Sequence, residues 1–279
     1  MSAQPDTHED EVEASRAPLL DHLVELRSRL MIALGSVVVA FIGCFFFARR
    51  IFEFLVEPFL AAMREVHPEH ANEAVQLVNT HAFGFFFVQL QVALFAAIIV
   101  AFPILAWQAY GFIAPGLYKR ERHMATPFLI AAPVMFLAGA AFVFYVAMPY
   151  ALEFALHQEI TEGPVQVRYL PRVDEYLGLV TTLVLAFGLC FQMPVVLSLL
   201  GSMGVVNAGM LRKGRRFAIV GIAAFSALVT PPDVLSMTMM ALPMYALYEI
   251  SIWLVWAIEA ARTRKEAAEA PAPQARPTE

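Results

Sequence analysis

The sequence predicts an all-α integral membrane protein with six transmembrane helices. Three observations predict it. Hydrophobic residues make up 59% of the 279 residues and charged residues 15%, against about 45–50% and 25% in soluble domains. Mean hydropathy is +0.64. Charge is absent from the windows 30–48, 80–118, 124–152 and 176–211, and the window 217–258 carries only Asp233 and Glu249. The 19 Lys and Arg concentrate in alternate loops, which assigns a side to each.

Crossing about 30 Å of hydrocarbon takes roughly 20 apolar residues. The windows therefore place spans at about 30–50, 83–107, 127–148, 175–200, 216–230 and 236–258. Unbroken apolar runs read as helices, since a membrane barrel would alternate with period two. Residues 1–18 are acidic and read as a disordered tail, residues 19–258 as the membrane domain, and residues 259–279 as a second tail. No apolar stretch near the start reads as a cleavable signal.

Each element has its own signal. Leu19, Leu23, Leu26 and Leu30 follow i, i+4, i+7, i+11, with Asp21, His22, Glu25 and Arg29 opposite. That pattern predicts an amphipathic helix on the membrane surface leading into the first span. Ile51, Phe54 and Leu55 begin an amphipathic piece that Pro58 should break or kink. Pro103, Pro133, Pro149, Pro194 and Pro243 lie within or at the ends of spans and predict a kinked, concave bundle. The fifth span is short: Phe217 to Val229 measures about 20 Å at 1.5 Å per residue. Thr230-Pro231-Pro232-Asp233 follows at once and turns the chain into the sixth span, so the last two spans form a short hairpin. Arg27, Arg29, Lys119, Arg120, Arg122, Arg212, Lys213, Arg215, Arg216, Arg262, Arg264 and Lys265 fall on the side of both termini. The positive-inside rule makes that side cytoplasmic.

Composition also excludes function classes. The net charge of −5 argues against nucleic acid as a partner. Cys44 and Cys190 lie inside apolar runs and form no metal-ligand or disulfide pattern. The zincin, serine-hydrolase and phosphate-loop motifs are missing from the sequence, so neither an enzyme nor a cofactor is expected.

Polar residues in unusual places are the candidates for function. Glu25 and Arg29 stand four apart, which by itself gives an ion pair worth a few tenths of a kcal/mol. Glu121 is the only acid in the loop Phe112-Ile113-Ala114-Pro115-Gly116-Leu117-Tyr118-Lys119-Arg120-Glu121-Arg122. Its carboxylate either offsets its basic neighbours or, with Glu25, faces a basic partner. Arginine suits such a site because its planar fork meets a carboxylate through two bonds. Gln89, Gln91, Gln192 and Glu249 lie within spans. The glutamines suit structural hydrogen bonds. Glu249 is open to two readings, a proton or ion path or a group near the interface.

Four stretches resemble the TatC family, the multi-spanning receptors of twin-arginine protein translocation. They are His22-Leu23-Val24-Glu25-Leu26-Arg27-Ser28-Arg29-Leu30; the loop from Phe112 to Arg122; Phe187-Gly188 with Phe191-Gln192-Met193-Pro194-Val195; and Thr230-Pro231-Pro232-Asp233 with Pro243-Met244-Tyr245 and Tyr248-Glu249. The resemblance covers about residues 19–258.

The resemblance implies a receptor in the cytoplasmic (inner) membrane. It would bind twin-arginine signal peptides of folded precursors at the cytoplasmic face. It would recruit TatA- and TatB-type single-span partners and further copies of itself, with transport driven by the proton-motive force. It implies that Glu25 and Glu121 hold the two arginines and that Arg27, Phe112, Pro115 and Leu117 form the nearby surface. Pro58 carries over as a proline of the first external loop, and Thr230, Pro231, Pro232 and Asp233 as the hairpin tip where a partner helix docks. Gln192 stands where some members have glutamate, and Met237 where some have glutamine. Two other readings remain beside it: a proton- or ion-coupled small-solute transporter using Glu249 and Gln192, and a structural scaffold.

Overall fold

The computed structural model describes residues 7–66, 77–78, 82–113, 122–159, 171–230 and 234–269. These residues are almost entirely helical. The helices are α1 (Thr7–Phe46), α2 (Ala48–Val66), α3 (Gly84–Ile113), α4 (Arg122–Phe142), α5 (Met148–Leu156), α6 (Val173–Cys190), α7 (Met193–Ser202), α8 (Ala208–Val229) and α9 (Val234–Glu269), with a π turn over Val143–Ala147. Among the described residues, five stretches are long and apolar enough to cross a bilayer. They are Leu23–Phe46, Gly84–Phe112, Pro127–Leu156, Val173–Ser202 and Ser236–Arg264. The expected fifth span, 216–230, is not among them. It lies in α8, whose first turns carry Arg212, Lys213, Arg215 and Arg216, leaving the short apolar run Phe217–Val229.

The chain divides into two compact units, Met1–Phe54 with His81–Arg122, and Leu55–Thr80 with His123–Glu279. In the first unit α1 packs along α3. α1 begins at Thr7, inside the expected disordered tail.

From Leu23 onward the leucine stripe of α1 is exposed, as a stripe that meets lipid would be. Leu23 and Leu30 are 58% and 63% exposed. The half-buried residues are Glu25, Arg29, Ala33, Ser36, Val37, Ala40, Phe41 and Cys44, at helical spacing. The expected amphipathic piece leads into the first span without a break, since α1 is one uninterrupted helix. In a bilayer the logic of a soluble amphipathic helix reverses, because apolar side chains can face lipid while polar ones seek protein contacts.

The second unit contains the breaks. Proline 149 sits at the start of α5, and the turn before it widens, with the Met148 N–H donating to the Val143 carbonyl. A proline lacks the N–H that would continue the ladder, and a π turn accommodates the misfit. Pro194 at the start of α7 similarly follows the interruption at Phe191–Gln192. Pro58 behaves otherwise: of the break or kink expected there, the break does not occur, and α2 runs through it for its full 19 residues. Leu55, Val56, Phe59 and Ala62 form its buried face. That packing outweighs the lost backbone bond, since several buried apolar side chains are each worth about 1.5–3 kcal/mol against about 3 for an interior proline.

Packing in this unit relies on close approach. α7 and α8 both pack on α9, and the π turn contacts α6 and α9. A Cβ at Gly188 would stand 2.5 Å from the Phe136 ring. Gly204 takes φ +73° in the turn between α7 and α8, a conformation that favours glycine. At the start of α6, Val78 bridges to Arg172. The Val173 N–H donates to the Val78 carbonyl at 3.1 Å. Tyr176 is buried against Phe59 with ring centroids 5.5 Å apart, and its hydroxyl donates to the Leu55 carbonyl at 2.9 Å.

Candidate functional site

The half-buried stripe of α1 places Glu25 and Arg29 on the helix face that meets α3. Arg29 donates to Glu25 Oε1 from Nε at 3.0 Å and from Nη2 at 2.6 Å. The two side chains are 26% and 36% exposed, Arg29 the more covered. Glu25 Oε2 has no partner among the described residues. The guanidinium of Arg29 lies against Gly111, where a Cβ would collide with Nη1. Phe112 follows Gly111 on α3 and is half-buried. The structure thus joins the first resembling stretch to the beginning of the second.

Arg27 is exposed and lines a shallow groove with Val24, Ser28, Met31 and Ile32. Pro115, Leu117 and Glu121 lie outside the described residues. The chemistry available on the described part is that of a half-satisfied carboxylate beside an arginine that rests on Gly111 of α3. It can accept a hydrogen bond from a second cation through Oε2. The Glu25–Arg29 spacing was visible in the sequence. The role of Gly111 was not, because its neighbour comes from another helix.

The other expected residues fall elsewhere. Glu249 lies in the second unit and is taken up within it. Arg215 Nη2 donates to Glu249 Oε2 at 2.7 Å, and the Tyr245 hydroxyl donates to Oε1 at 2.8 Å. The Tyr248 hydroxyl donates to the Leu211 carbonyl at 2.8 Å. Glu259 accepts from the Ala208 N–H at 3.0 Å and, with Asn207, caps α8. Gln192 Nε2 donates to the Ala132 carbonyl at 2.9 Å, holding α4 to the break between α6 and α7. Pro58 is buried within α2. Thr230 is buried and donates to the Ser226 carbonyl at 2.8 Å. Pro231, Pro232 and Asp233 lie outside the described residues. An apolar groove of about 350 Å³ runs between α8 and α9, lined in part by Ile219, Ile222, Met237, Ala241 and Tyr245. Among the described residues no three His, Cys, Asp or Glu side chains cluster to hold a metal.

Known proteins are similar to this chain in sequence and fold. The family profile described as Sec-independent protein translocase protein (TatC) matches residues 21–243. A protein named Sec-independent protein translocase protein TatC from Magnetococcus marinus is 40% identical over 254 residues, covering 91% of this chain and 89% of its own. One of the same name from Campylobacter jejuni is 36% identical, covering 90% of this chain and 98% of its own. A solved structure, the crystal structure of the twin arginine translocase receptor TatC, superposes with a TM-score of 0.72 at 33% identity. It covers 85% of this chain and 99% of that one.

Proposed function

Because the chain belongs to the TatC family, we propose that it is the signal-peptide receptor of a twin-arginine translocase. It is a multi-pass membrane protein of the Tat system. In this reading Glu25 and Glu121 receive the two arginines of a folded precursor's signal peptide at the cytoplasmic face. Arg27, Phe112, Pro115 and Leu117 form the surrounding surface. The observation that carries the reading is Glu25: a partly exposed carboxylate beside Phe112's helix, with Oε2 open to a further donor. A guanidinium suits it better than an ammonium, because its flat fork can share a carboxylate already engaged on one side.

The same reading makes α8 the short fifth span of six, with both termini cytoplasmic and α8 and α9 forming the hairpin. The groove beside Met237 is the docking face for TatA- or TatB-type helices, near the Thr230-to-Asp233 tip. Further copies of the chain complete the receptor in the inner membrane, and the proton-motive force drives passage through a path the partners supply. The transporter reading has less support, since Glu249 is engaged by Arg215 and Tyr245, and Gln192 by a backbone carbonyl.

The test is photocrosslinking of a twin-arginine signal peptide to membranes carrying the chain. Glu25→Gln with Glu121→Gln abolishes the crosslink, as does Lys-Lys in place of Arg-Arg. A crosslink unchanged in both cases refutes the site.

A further inference from the structure

We propose that Arg29 is an internal occupant of the receptor carboxylate, holding Glu25 in the empty receptor and competing with the incoming arginine. This deepens the reading above and rests on Glu25 being the ligand's acceptor.

Three observations converge. Two donors of Arg29, Nε at 3.0 Å and Nη2 at 2.6 Å, meet on the single oxygen Oε1. The other oxygen has no partner among the described residues. The guanidinium rests on Gly111, a seat that any Cβ would obstruct.

The chemistry follows. A bare carboxylate beside the membrane would be costly, and an internal cation neutralises it. The occupant is the same functional group as the ligand. An incoming guanidinium therefore exchanges with, or crowds beside, an equal competitor, and gains only the difference. Binding is held weaker than an empty carboxylate would give, and departure of the peptide is assisted by Arg29 returning to Oε1. A second possibility, that Arg29 merely orients Glu25 for the ligand, predicts the opposite sign on its removal.

The test is the affinity of a fluorescent twin-arginine signal peptide for the full chain in nanodiscs, at fixed salt. Arg29→Gln is expected to tighten binding by about two- to fivefold, the range for loss of a partly exposed ion pair. Gly111→Ala, which obstructs only the mobile end of Arg29, is expected to tighten it in the same direction and by less. In a Glu25→Gln background the Arg29→Gln change is expected to have no effect, because the occupied carboxylate is gone.

Weaker or unchanged binding with Arg29→Gln overturns the proposal. So does equal tightening in both backgrounds, which would mean general charge repulsion rather than occupancy of Glu25. The reading of the site fails separately: Glu25→Gln alone would then leave peptide binding unchanged. Should Arg29→Gln not assemble, Gly111→Ala carries the same sign test.

Discussion

Arg215 of α8 and Glu249 of α9 meet at 2.7 Å, thirty-four residues apart in the chain. The carboxylate's other oxygen takes the Tyr245 hydroxyl at 2.8 Å. Both oxygens are therefore used, and Glu249 acts as a clasp between two helices. The side chains are 45% and 28% exposed, so solvent screens the pair and moderates its worth.

This clasp predicts a stability effect without a transport effect of its own. Glu249→Gln removes the charge but keeps an acceptor for Tyr245, and is expected to cost about 1 kcal/mol. Arg215→Ala is expected to cost a similar amount, and the double variant less than the two summed. Thermal unfolding in detergent measures all three. Additive costs would show that the two groups do not act on each other.

Gln192 gives a second prediction. Its amide donates to the Ala132 carbonyl at 2.9 Å. Gln192→Leu keeps the bulk and removes the donor. Interhelical hydrogen bonds in membranes average about 0.6 kcal/mol, so a loss of that order is expected, read as a small fall in melting temperature. A loss several times larger would mean that the glutamine organises more of the α6–α7 break than this bond.

Gly188 gives a third. Its position faces the Phe136 ring, where a Cβ would sit at 2.5 Å. Phe136 is 1% exposed and cannot swing aside into solvent. Gly188→Ala is expected to destabilise the chain by about 1–3 kcal/mol through overpacking. A shortened companion, Gly188→Ala with Phe136→Leu, should recover part of that loss in the same melt. No recovery would place the strain elsewhere.

How far the sequence carried these features depends on whether their causes are local. Five of the expected spans were legible because twenty apolar residues in a row have few other uses. Of the five prolines expected to bend the spans, Pro149 and Pro194 stand beside irregular turns, where a missing N–H acts on its own helix, whereas the helices run on through Pro103, Pro133 and Pro243. Whether Pro58 would break α2 could not be read, because what holds the helix together is burial of Leu55, Phe59 and Ala62, and burial is a tertiary fact. The leucine stripe of α1 was legible from its spacing, and Leu23, Leu26 and Leu30 are left exposed, free to meet lipid. Glu25 and its i+4 partner could be read directly. Gly111 as the seat of Arg29, and Arg215 as the partner of Glu249, could not, because each contact joins helices far apart in sequence.

The groove between α8 and α9 supplies the last prediction. Its walls include Ile222, Met237 and Ala241, and its volume is about 350 Å³. Ala241 is half-buried there, so an indole built on it projects into available space rather than into packed core. Ala241→Trp is therefore expected to fold with a melting temperature close to that of the parent. If the groove receives a partner helix, filling it removes the surface on which that helix packs. Co-purification of a TatB-type partner is expected to fall at least severalfold, while binding of a twin-arginine peptide, which depends on Glu25 in the other unit, stays as it was. Met237→Gln is the complementary change: it keeps the length of the side chain and adds a donor and an acceptor. It is expected to preserve or strengthen association with a partner helix that presents a polar group, at little cost in stability because Met237 is only half-buried. Retention of the partner by Ala241→Trp would remove the groove as its docking face. Loss of peptide binding in the same variant would show that the two sites are coupled.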